Sequence, residues 1–125
     1  MCFKSIKHMN NNARNLFTLE SIMVYYSMEA NGDEIFLKYD GKKIWPKNKR
    51  FANLNSLSQN LDTIIILEKL NQWIEIELWD FNYLLPSSRL GVFRILADKK
   101  GGPYTTELIR NEGLLSRYST KWMIC

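Results

Sequence analysis

Trp73-Ile-Glu-Ile-Glu-Leu-Trp79 runs directly into Asp80-Phe-Asn-Tyr-Leu-Leu-Pro-Ser-Ser-Arg-Leu-Gly91. Ile74, Ile76 and Leu78 fall on one side of a period-2 pattern and Glu75 and Glu77 on the other, which predicts a strand with one buried and one wetted face. Asp80, Asn82, Pro86, Ser87 and Ser88 then supply turn chemistry. Leu90-Gly91 opens a second apolar run, Val92-Phe-Arg-Ile-Leu96, so the two runs are expected as strands joined by a polar loop. Ile74, Ile76, Leu78, Leu90, Val92 and, from the far end of the chain, Trp122 are the predicted core.

Working outward, the same signals recur. Residues 17–26 alternate with Phe17, Leu19, Met23 and Tyr25 on one side, and Asn31-Gly32 follows as a tight-turn dipeptide. Residues 34–39 and 42–45 form a predicted hairpin about Asp40-Gly41, stopped by Pro46. Residues 47–60 are basic, then rich in Asn, Ser and Gln, and are expected as a long loop. Residues 61–70 have a β-branched centre, which favours strand over helix, and are expected to pair with Trp73–Trp79 across Asn71-Gln72. Residues 104–109 and 118–124 complete the set, with Tyr118, Thr120, Trp122 and Ile124 on one face. Many short strands, turn signals between them and no amphipathic helix predict an all-β, antiparallel β-sandwich of seven to eight strands. Residues 1–16, polar and Asn-rich, are expected as a flexible arm, and 17–125 as a single domain.

Composition bounds the function. A chain of 125 residues with 46% hydrophobic and 24% charged content is ordinary for one globular domain. No apolar run approaches the ~20 residues of a membrane span. The N-terminus lacks the uninterrupted apolar core of a secretory signal, so the default location is the cytoplasm or the periphery of a membrane. Export by another route and trimming of a longer precursor stay open. Cys2 and Cys125 stand at the two ends with no CxxC spacing, so two free thiols are expected, with a bridge between the termini as the alternative. The net charge of +4 is unevenly spread: Lys38, Lys42, Lys43, Lys47, Lys49 and Arg50 lie in a window whose only acid is Asp40. A local basic patch of this kind points to an anionic partner.

The run Trp79-Asp-Phe-Asn-Tyr-Leu-Leu-Pro-Ser-Ser-Arg-Leu-Gly91 resembles the W-D-x-D-…-D-D-x-[LI]-G signature of the calcium- and lipid-binding C2 domains, with the same spacing from Trp to Gly. Asn31-Gly-Asp-Glu-Ile-Phe-Leu-Lys-Tyr-Asp-Gly-Lys-Lys43 is similar, more loosely, to that family's S-D-P-Y-v-k-v…G-k-k segment. The resemblance spans roughly residues 17 to 96 and implies a sandwich with aspartate-bearing loops at one end. Asp33 and Asp80 match ligand positions, while Asn82, Ser87 and Ser88 stand where the family has carboxylates. Ca²⁺ takes 6–8 oxygen ligands, several of them anionic. Asp33, Asp80 and Asn82 are therefore only weak metal candidates, no cofactor beyond weakly bound calcium is implied, and a calcium-independent member is expected. The resemblance also implies contact with acidic phospholipid through a lysine-rich strand face. Lys38, Lys42, Lys43, Lys47, Lys49 and Arg50 are candidates for that face, with Trp45 as an interfacial anchor.

Catalytic chemistry is not indicated. There is no Gly-x-Ser-x-Gly, the single histidine, His8, lies in the expected arm, and Gly101-Gly102-Pro103 is a turn rather than a phosphate loop. Glu75 and Glu77 are two apart on a wetted face, where carboxylates are ordinarily solvated. A non-enzymatic binding module is the expected class. Two alternatives stand beside the lipid surface. One is a protein-interaction or accessory domain of a larger system; the other, less favoured, is single-stranded nucleic acid stacked on Tyr39, Trp45 and Phe51.

Overall fold

A computed structural model describes residues 15–26, 32–54, 57–114 and 116–125. Its strands, in chain order, are β1 (Asn15–Tyr26), β2 (Asp33–Tyr39), β3 (Lys42–Trp45), β4 (Ala52–Leu54), β5 (Ser58–Leu67), β6 (Gln72–Asp80), β7 (Ser88–Ala97), β8 (Gly101–Glu107), β9 (Ile109–Arg110) and β10 (Arg117–Ile124). They form two antiparallel sheets, one of four strands in the order β5-β1-β10-β8 and one of six built on β3-β2-β6-β7-β9, with β4 pairing β2. The fold is an all-β sandwich. Strands beyond the expected seven or eight come from two short pieces, β4 and β9, too brief for any periodicity to announce them.

The inner faces of the two sheets make one core. Phe17 pairs with Ile65 on β5 and Ile124 on β10, while Leu19 pairs with Thr63 and Trp122, so one sheet presents rows that are apolar except at Thr63, whose hydroxyl donates to the Leu61 carbonyl. Ile74, Ile76 and Leu78 are fully buried and face them from β6. Phe17 stacks on Trp122 at 5.4 Å between ring centroids, an offset-type contact that adds ~0.5–1.5 kcal/mol beyond its area.

Two β-bulges reset the alternation that the sequence suggests. In β1 the register shifts between Leu19 and Ser21, so Ile22 rather than Met23 turns inward and Tyr25 is exposed. Thr120 Oγ1 donates to the carbonyl of Ser21 at 2.9 Å, satisfying the backbone at that shift. Between β6 and β7 the register shifts at Leu78/Trp79, so Phe93 and Ile95 are buried while Val92 lies on the outer side, half-buried.

Three further expectations are corrected. β5 does not pair with β6: it pairs with β1, and the link between Leu67 and Gln72 crosses from one sheet to the other. Asn15 and Leu16 belong to β1, with Leu16 buried, so the expected arm ends before them; residues 1–14 lie outside the described residues. Cys125 is disulfide-bonded rather than a free thiol; Cys2, the other cysteine of the chain, lies outside the described residues.

Candidate functional site

At one end of the sandwich the register brings Asp33 and Asp80 onto neighbouring strands, with Ile35 opposite Asp80 and the Phe81 amide donating to the Glu34 carbonyl at 2.7 Å. Asp33 is 1% exposed and accepts a hydrogen bond from the Tyr118 hydroxyl of β10. Its carboxylate thus ties the two sheets together. Asn82 takes part through its backbone, whose amide donates to Ser87 Oγ at 3.4 Å and holds the loop closed on itself. Among the described residues, no group of three or more His, Cys, Asp or Glu side chains is placed to hold a metal ion.

The loop 81–87 at this end carries a feature that the polar-turn description overlooks. Tyr83, Leu84 and Leu85 are consecutive and exposed, Leu84 at 94%. Leu57, the residue before β5, is 80% exposed at the same end, since the next residue, Ser58, pairs with Met23 near the close of β1. Phe51 stacks on Phe81 at 4.9 Å, and Tyr83 meets both rings edge-on, at 5.9 and 5.0 Å. Beside this aromatic cluster lies a groove of about 590 Å³ lined in part by Lys49, Arg50, Phe51 and Tyr83. The signal was available in the sequence as three apolar residues running between Asn82 and Pro86, in a segment that must be surface.

The basic residues divide into two groups. Lys42, Lys43, Lys47, Lys49 and Arg50 are exposed along the β3 edge and the segment after it. The Lys43 ammonium donates to the Lys49 carbonyl, folding 47–49 back toward β3 and gathering the cations on one edge. The ion pairs of the described residues lie elsewhere, between Glu77 and Arg89 and between Glu75 and Arg94. Lys38 stands apart: it is half-buried on the outer face with its ammonium 4.3 Å from the Trp79 ring centroid, a cation–π contact.

Trp45 departs from its expected role. It is 8% exposed and packs into the core from β3, where it pairs with Leu37. Its indole lies in the core rather than at the surface. Tyr39 packs partly against the core and Phe51 is stacked on Phe81, so Tyr39, Trp45 and Phe51 are not gathered into one exposed aromatic platform of the kind the less favoured nucleic-acid alternative needs.

No protein-family model matches the sequence, and no curated protein is significantly similar to it.

Proposed function

We propose that this chain is a non-enzymatic, C2-like binding module that attaches reversibly to anionic lipid surfaces, without calcium, using the cations of 42–50 together with the apolar tip at Tyr83, Leu84 and Leu85. One observation carries it: exposed Leu84 and Leu85 adjoin Tyr83, which lines the same groove as Lys49 and Arg50. Apolar side chains projecting beyond a cationic rim suit a surface that is charged outside and oily within. Each Lys or Arg near an anionic bilayer contributes ~1 kcal/mol, and a leucine fully withdrawn from water ~1.5–3 kcal/mol. The sandwich, the loop between β6 and β7 and the placing of Asp33 and Asp80 on neighbouring strands at that end support the C2-like reading.

Sedimentation with phosphatidylcholine vesicles, with and without phosphatidylserine, tests it. Binding is expected only with the anionic lipid, equally in calcium and in chelator, and is lost as salt shortens the Debye length toward ~8 Å. Leu84→Asp with Leu85→Asp should abolish binding without lowering Tm, since exposed positions tolerate change. Lys42, Lys43, Lys47 and Lys49 changed together to Glu should do the same. Absence of binding at low salt, or full binding by either variant, overturns the proposal.

A further inference from the structure

The outer face of the six-stranded sheet holds a second surface that the loop end does not involve. A groove of about 490 Å³ runs from the Asp40-Gly41 turn across β6 to β7, lined by Trp73, Glu75, Glu77 and Arg89 with Tyr39 and Asp40 at the turn. Its volume lies within the ~300–1,000 Å³ of small-molecule sites. Trp73 is 53% exposed there. The Arg94 guanidinium sits over its ring at 4.3 Å, and Glu75 holds Arg94 at 3.5 Å. The indole is thus positioned without being buried, which lowers the ordering cost of any ligand that stacks on it.

We propose that this groove binds a neutral carbohydrate chain. The charges decide against an ionic ligand. Glu77 accepts from Arg89 at 3.0 Å and from the Trp79 indole N–H at 3.3 Å, and Glu75 is paired with Arg94, so a cation would find two of the three lining carboxylates already engaged. An anion would face Glu75, Glu77 and Asp40 along the lining. What the groove offers instead is fixed acceptors and donors set beside an aromatic plane. A carboxylate has about four acceptor sites, so one bonded to arginine keeps capacity for more, and a guanidinium has five N–H donors. Sugar hydroxyls both donate and accept, and the C–H face of a pyranose ring carries the partial positive charge that suits the negative face of an indole. Alternating acceptor and donor around a held tryptophan is the complement of that pattern. The proposal stands or falls separately from the lipid reading, because it uses neither the loop 81–87 nor the cations of 42–50.

Calorimetric titration of the full chain with cellohexaose, xylohexaose, mannohexaose, chitohexaose and maltohexaose tests it, with tryptophan fluorescence read in parallel. At least one probe is expected to bind with Kd between about 10 μM and 1 mM. Trp73→Ala should weaken that binding by about tenfold or more, Trp73→Phe should keep most of it, and the Leu84→Asp, Leu85→Asp variant should bind as the parent does. Should Trp73→Ala fail to fold, Glu77→Gln, which alters the acceptor set on the half-buried outer face of β6, carries the same expectation of weakened binding. Failure of all five probes overturns the proposal. So does a folded Trp73→Ala variant of unchanged affinity, or spermidine binding at Trp73 more tightly than any of the sugars.

Discussion

Replacing Gly91 by alanine is the sharpest test of how β7 and β9 meet. Gly91 pairs with Arg110 in the short strand β9, and a Cβ built on it would lie 2.3 Å from the Ile109 carbonyl oxygen and 2.9 Å from Leu108 Cγ. The Ile109 oxygen is backbone, so relief requires moving β9 off β7. That would disturb the pairing of Val92 with Ile109 and the bond from the Asn111 amide to the Leu90 carbonyl, now 2.9 Å, and would begin to uncover Leu108. Overpacking costs ~1–3 kcal/mol, and each backbone hydrogen bond lost costs ~0.5–1.5 kcal/mol. Against this, alanine restricts the unfolded chain and returns ~0.4–1 kcal/mol. The net is a loss of about 2–4 kcal/mol, which for a chain of this length lowers Tm by roughly 8–15 °C. Urea denaturation followed by circular dichroism should show a lower midpoint with an unchanged slope. Ser88→Ala, an exposed change on the same strand, serves as control and should stay within ~0.5 kcal/mol. A Gly91→Ala variant as stable as that control would mean that β9 does not close on β7 at this position.

Other perturbations separate the structural residues from the surface ones. Tyr118→Phe removes the donor to buried Asp33 and should cost ~1.5–3 kcal/mol by urea titration, because the acceptor is a carboxylate. Trp45→Ala should cost ~3–5 kcal/mol, as for a core aromatic; an interfacial anchor would leave the urea midpoint in place. Reduction of the disulfide at Cys125 should lower Tm, by the equivalent of ~2–4 kcal/mol.

Much of the architecture is legible because sandwich strands carry their burial in their spacing. β6 is the clearest case: Ile74, Ile76 and Leu78 are fully buried, while Glu75 is exposed and Glu77 half-buried. The pattern misleads where the backbone inserts a residue. The bulge after Leu19 and the shift at Leu78/Trp79 each flip the parity downstream, which is why Ile22 replaces Met23 and Phe93 replaces Val92 in the core. A bulge depends on the partner strand as well as the bulged one, so one strand's sequence cannot place it. The β5–β6 link fails for a related reason. A short polar connection specifies that the chain reverses, not whether the reversed strand hydrogen-bonds its predecessor or stacks across a core from it. β5 instead pairs with β1, whose nearest residue to it along the chain lies more than thirty positions away.

Charge was legible at the site; exposure was not. The six cations could be counted from the sequence, but Trp45 among them turns inward at a register shift in the β2–β3 pairing, which composition cannot reveal. The loop 81–87 erred in the opposite direction, since Asp80, Asn82, Pro86, Ser87 and Ser88 mark a polar turn and draw attention from the apolar residues between them. Those residues pose the sharper physical question. A leucine left 94% exposed gains almost nothing from folding, and with Tyr83 and Leu85 beside it, it adds an adhesive patch to the free chain. Folding energetics gives no reason to keep Leu84 there. Positions where local rules fail without a structural return are where function is to be sought, and here the failure adjoins the groove lined by Lys49 and Arg50. That conjunction ties the lipid proposal to the loop and the cations together, so on that proposal a variant that removes either one should no longer sediment with anionic vesicles.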